Sequence, residues 1–144
     1  MKAEELLKKS RVEVAAETFS LVSLRNEDWL KLLGDPELSP RMTAPFMIFK
    51  DRWEVTLLLD ETDFETMRVG LREARIERGF RLLSFDIELD FSVVGFLALV
   101  AQKLAEHNVP IVALGAFSRD HLLIKQTDLS KTLIVLSAYV DDIC

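Results

Sequence analysis

The chain has 144 residues, 49% hydrophobic and 29% charged, with a net charge of −6, which suits one compact domain or two small units sharing a core. The acidic balance argues against nucleic acid, whose sequence-independent binding needs clustered Lys and Arg, and against an anionic membrane surface. One cysteine, Cys144, leaves no internal disulfide, so a reducing cytoplasm is the expected compartment.

His107, His121 and that thiol have no zinc spacing, and no Asp-rich loop resembles a calcium loop, so neither metal nor cofactor is expected. "MKAEELLKKS" begins acidic and helical, without the apolar core of a signal peptide. The apolar stretch from Val93 to Ala105 is broken by Gln102 and Lys103 and is too short to span a bilayer.

In chain order, "RVEV" (Arg11 to Val14) is an extra strand near the start, and "TFSLVSLR" (Thr18 to Arg25) is a strand followed by a short helix, "EDWLKLL", closed by Gly34. After a loop, "FMIFK" and "EVTLLL" form a strand pair across Asp51-Arg52. Thr62 and Glu65 make a capping box for a helix whose stripe is Phe64, Met67, Leu71 and Ala74, running towards Gly79. Arg68, Arg72, Arg75 and Arg78 form a ridge on that helix, largely neutralised by Glu65, Glu73 and Glu77, and read as a solvated face. Trp29 and Trp53 read as core or interface.

The second half follows the same order. "RLLSFDIEL" (Arg81 to Leu89) is a strand ended by "DFS". Val94, Leu97, Ala98, Ala101, Leu104 and Ala105 recur at helical spacing, and His107, Asn108 and Pro110 stop that helix. Phe96, Leu99 and Val100 widen its apolar surface, which makes Phe96 and Leu99 interface candidates. "PIVALGAF" and "DHLLIK" are strands joined across "SRD", and Thr127 or Asp128 caps a helix with Leu129, Leu133, Leu136 and Val140 on one face. The halves also share a phrase: "LLLDETDF" (Leu57 to Phe64) returns as "LLIKQTDL" (Leu122 to Leu129), and Pro45 in "APFMIF" matches Pro110 in "VPIVAL".

Each half therefore reads strand, helix, strand, strand, helix. The expected fold is α+β, with two ferredoxin-like βαββα units in tandem and helices packed on one face of antiparallel sheets. Residues 1–16 supply an N-terminal helix and short strand, 17–79 the first unit and 80–144 the second. The ferredoxin plan wants a fourth strand in each unit; the substitutes are Arg11 to Val14 and Tyr139 to Ile143, exchanged between units so that no edge stays open.

Ser92 and Gly95 at a strand-to-helix loop, "LAEHNVPI" and Asp120-His121 together resemble the ACT-domain proteins, in particular the small tandem group that includes cytosolic arginine sensors. The sequence departs from that pattern at Asn108, where the family often has glycine, and at Ser118-Arg119, where aromatic residues often precede Asp-His. The resemblance implies a non-enzymatic regulatory module that binds an amino acid or similar small metabolite at the junction of the two units, acting as a homodimer or on a protein partner. The alternative is a ligand-free structural or adaptor protein of the same fold.

The ligand residues this implies are Asp90, Phe91, Ser92, Val93, Gly95, Val112, Leu114, Gly115, Asp120 and His121. Free amides at the start of the helix suit a carboxylate, Gly95 lets backbone approach closely, and Asp90 or Asp120 accepts from an ammonium. Two plainer roles stand beside these: Asp90 and Ser92 as helix caps alone, and His121 as a residue at a polar strand edge. No nucleophile, base and acid come together in the sequence, so no catalytic residue is expected.

Overall fold

The computed structural model describes residues 2–144. A short helix, α1 (Ala3–Lys9), carries Glu4 and Glu5 in its first turn and Lys8 and Lys9 in its last, as the helix dipole favours, and buries Leu6 and Leu7. The strand that follows, β1 (Arg11–Val14), buries Val12.

Residues Glu17–Phe80 form one compact unit. It runs through β2 (Phe19–Leu24), α2 (Asn26–Leu33), β3 (Met47–Lys50), β4 (Val55–Asp60) and α3 (Glu61–Met67), which tightens into a 3-10 turn over Arg68–Leu71 before β5 (Arg75–Asp86). Strand order is β3-β4-β2-β5, antiparallel throughout, which is the ferredoxin arrangement. Val22, Leu57 and Leu59 on the strands pack with Leu32, Phe64, Met67 and Leu71 to form this unit's core. The β3–β4 turn is closed by Asp51, whose Oδ1 accepts from the backbone N–H groups of Trp53 and Glu54, both at 2.8 Å. That turn leaves Trp53 exposed at 77%, while Trp29 packs against the core.

Two expectations are corrected here. The helix does not reach Gly79: it gives way at Leu71, and Arg75 begins the unit's fourth strand, paired with β2. The four arginines thus share no helical face. Arg68 pairs with Glu65, Arg75 with Glu54 and Arg78 with Glu61 and Glu65. Gly79 has φ +83 at a bulge where the β2–β5 register shifts, a conformation in which glycine alone is unstrained. Nor does Thr62 cap α3. Asp60 does, its Oδ1 accepting from the Asp63 N–H at 2.8 Å.

The second compact unit joins the N-terminal segment up to Ala16 with Arg81–Cys144. After β5 it contains α4 (Phe96–Ala105), β6 (Val112–Gly115), β7 (Asp120–Lys125), a 3-10 turn at Gln126–Asp128, α5 (Leu129–Ser137) and β8 (Asp142–Ile143). Strand order is β6-β7-β5-β1-β8, with β1 antiparallel to β5 and β8 parallel to β1. Both terminal strands therefore belong to this unit, and none is handed to the other: β5 itself completes the first unit before opening the second. Helix α4 buries Phe96, Val100 and Leu104, one residue every turn, against Leu83, Phe85, Leu122 and Ile124. Phe96 is thus core rather than interface, and Val94, expected in the stripe, is 86% exposed. Asn108 takes the left-handed conformation expected of a helix stop, with φ 58. Asp128 occupies the N-cap of α5 without a side-chain bond.

Candidate functional site

Helix α4 starts without a side-chain cap. Gly95, the residue before it, is left-handed at φ +86, so no side-chain oxygen reaches back to the first amides. A Cβ added at Gly95 would meet nothing within 4 Å, so glycine is required there by backbone conformation and not by crowding. The uncapped turn, Phe96 to Ala98, faces a crevice of about 280 Å³. Its other walls are the β5–α4 loop at Leu89, Asp90, Phe91 and Val93, and the β6–β7 turn from Ala116 to Asp120.

Backbone bonds hold both loops. Leu89 N–H donates to the Ser118 carbonyl at 2.7 Å, Val93 N–H to Asp90 at 2.9 Å, and Ala116 N–H to Arg119 at 2.9 Å. Asp90 Oδ1 accepts from Ser92 Oγ at 2.7 Å and from Ser92 N–H at 2.8 Å. These two bonds favour the ionised form and hold the Asp90 carboxyl below its ordinary range. Arg119 reaches Asp86 Oδ1 through Nε at 3.0 Å and remains partly exposed. Across the mouth, Phe91 and Phe117 meet edge to face with centroids 4.9 Å apart.

Of the residues expected at a ligand site, Asp90, Phe91, Val93, Gly95 and Asp120 line this crevice. Ser92 lies beside it, with its hydroxyl and N–H both committed to Asp90. Val112, Leu114, Gly115 and His121 are not among its lining residues. Successive strand residues point to opposite faces, so Asp120 borders the crevice while His121, opposite Leu114 in the β6–β7 ladder, turns to Ser84 with Nδ1 2.7 Å from Oγ. Phe117, Arg119 and the first turn of α4 line the crevice as well. Arg119 had a signal: it is the one cation between Lys103 and Lys125.

Burial pushes the His121 imidazole below its usual 6.5. The unfolded chain then takes up the proton first as pH falls, so stability attached to neutral His121 is intact above 6.5 and lost on acidification. An NMR titration should give His121 a midpoint under 6.5. Between about pH 5 and 7, His121→Gln should flatten the fall in melting temperature.

Among the described residues no group of His, Cys, Asp or Glu is placed to hold a metal ion, and no helix is long and apolar enough to cross a membrane.

Residues 75–138, from the start of β5 past the end of α5, match the family model of the ACT domain. Over that segment the chain is similar to the ACT domain. All the elements around the crevice lie inside the matched ACT segment. The fold of the full chain is similar to that of a structural-genomics target protein from Agrobacterium tumefaciens, with TM-score 0.74, 16% identity, and coverage of 94% of this chain and 92% of that one. It is also similar to a Vibrio cholerae protein described as of unknown function and a possible transport protein, with TM-score 0.65, 23% identity and 93% of each chain covered. The regulatory subunit of aspartate kinase from Thermus thermophilus, in a ligand-free form, has TM-score 0.63 at 12% identity over 92% of this chain and 98% of that one. At these identities the likeness is one of fold: ACT-type, ferredoxin-like units in tandem. No curated protein matches the sequence.

Proposed function

We propose that this chain is a regulatory binding module that takes an amino acid, or a similarly small zwitterion, into the crevice at the start of α4. The observation that carries the reading is the uncapped first turn of a ten-residue helix opening onto a crevice that also holds a cation and two carboxylates. The free amides and positive end of α4 suit an α-carboxylate, and Arg119 adds a charged donor beside them. Asp90 and Asp120 supply acceptors for an ammonium. At about 280 Å³ the crevice falls just under the roughly 300–1,000 Å³ of drug-sized pockets, the scale of an amino acid. Every lining residue belongs to the unit that includes Arg81–Cys144.

The test is thermal denaturation of the full chain with each of the twenty amino acids. A ligand at about 100 times its Kd adds about 2.7 kcal/mol to the folded state. For a chain of this length that raises the melting temperature by roughly 5–10 °C. Arg119→Ala should shrink the shift given by the same ligand. No shift with any amino acid at millimolar concentration would overturn the reading, as would a shift that Arg119→Ala leaves intact.

A further inference from the structure

We infer that the ligand's side chain is large and apolar, and that Phe91 and Phe117 select it; this rests on the binding function proposed above and adds the ligand class. The two phenyl groups come from different loops, Phe91 from the β5–α4 connection and Phe117 from the β6–β7 turn, and both line the same crevice. They are exposed at 77% and 81%, yet they touch each other edge to face at 4.9 Å with an interplanar angle of 80°. A lone exposed aromatic needs no explanation, but two that converge at the mouth of a crevice make an apolar surface waiting to be covered. Nor is the pair needed to join the loops, because the Leu89–Ser118 backbone bond at 2.7 Å already ties them.

Polar and apolar groups in the crevice differ in kind. The α4 amides, Arg119, Asp90 and Asp120 can engage the charged groups that every amino acid has in common. Phe91 and Phe117, with Leu89 and Val93, offer only hydrocarbon, and hydrocarbon can discriminate only the part that varies. Rigid aromatic anchors lose little freedom on contact, so they carry a large share of selectivity wherever they are covered. An acidic side chain would place a second carboxylate near Asp90, which its Ser92 hydrogen bonds keep ionised, and near Asp120. A large aliphatic or aromatic side chain meets no such opposition.

Isothermal titration of the full chain with L-phenylalanine, L-leucine, L-aspartate and L-arginine tests this, alongside Phe91→Ala and Phe117→Ala. Both substitutions remove exposed side chains, so the free variants should melt with the wild type. Phenylalanine or leucine is expected to bind wild type at least roughly tenfold more tightly than aspartate or arginine, and each variant to lose roughly tenfold or more of that preference. A preference for aspartate or arginine would overturn the inference. So would binding that weakens in Arg119→Ala while both phenylalanine variants keep the wild-type preference; in that case the binding function stands and only the ligand class fails. If no amino acid binds, both fail together. A wild-type dimer that Phe117→Ala converts to monomer, with ligand affinity unchanged, would assign the phenyl pair to a protein contact and overturn the inference too.

Discussion

Phe85→Ala should lower the unfolding free energy by about 3–5 kcal/mol, the cost of deleting a buried aromatic that its surroundings cannot refill. Phe85 has no solvent exposure. It lies on β5 beneath α4 and meets Phe96 edge to face, centroids 5.6 Å apart and planes at 86°. That geometry is worth a further fraction of a kcal/mol beyond burial, so the loss should fall in the upper part of the range. The melting temperature should drop by roughly 6–20 °C, read by circular dichroism against wild type. Phe91→Ala supplies the contrast, because a side chain 77% exposed has little burial to lose. The consequence reaches function as well. Phe96 is the first residue of α4, so a cavity beneath it loosens the turn whose amides face the crevice, and Phe85→Ala should weaken any ligand of that crevice without touching it.

What could be read from the residues was what depends on local pattern. The strands and helices from Phe19 to Met67 and from Phe96 to Ser137 follow apolar runs or helical spacing, and the chain forms them there. The stretch from Arg72 to Gly79 does not work that way. Ala74 continues the helical series of Phe64, Met67 and Leu71, and Gly79 makes an acceptable helix end. Only pairing with β2, anchored where Arg75 contacts Ser23 and Glu54, makes a strand of it. The residue that ends a helix and the residue that forms a bulge are the same glycine, chosen for the same positive φ, so local chemistry could not separate the two. The candidate site divides along a similar line. Asp90 to Gly95 precede a helix and announce themselves in sequence, whereas Phe117 and Arg119 reach the crevice through the β6–β7 turn, brought there by the hairpin and the Leu89–Ser118 bond. His121 reads both as a ligand residue and as a residue at a polar strand edge; Asp120 borders the crevice, and strand alternation turns His121 to Ser84.

The cap of α3 gives that lesson a measurable form. Asp60→Ala should cost about 1–2 kcal/mol, and Thr62→Ala close to nothing. Asp60 is 4% exposed, and its Oδ1 accepts from the Asp63 N–H at 2.8 Å, so alanine would leave a buried helix-start amide without an acceptor. Its second oxygen faces Arg41 at 3.4 Å, and the same guanidinium donates to Asp63 Oδ1 at 2.8 Å. Asp60 thus fastens the loop before β3 to the start of α3 as well as capping it. Thr62, by contrast, is exposed within the first turn of α3 and is not the residue that accepts there. Asn at position 60 keeps an acceptor for the Asp63 amide while giving up the charge, so Asp60→Asn should recover most of the loss if capping dominates and little of it if the pairing with Arg41 does. Urea denaturation of the three variants, with unchanged m-values as the check that only stability has moved, separates these contributions. Equal losses for Asp60→Ala and Thr62→Ala would mean that the cap had been assigned to the wrong side chain.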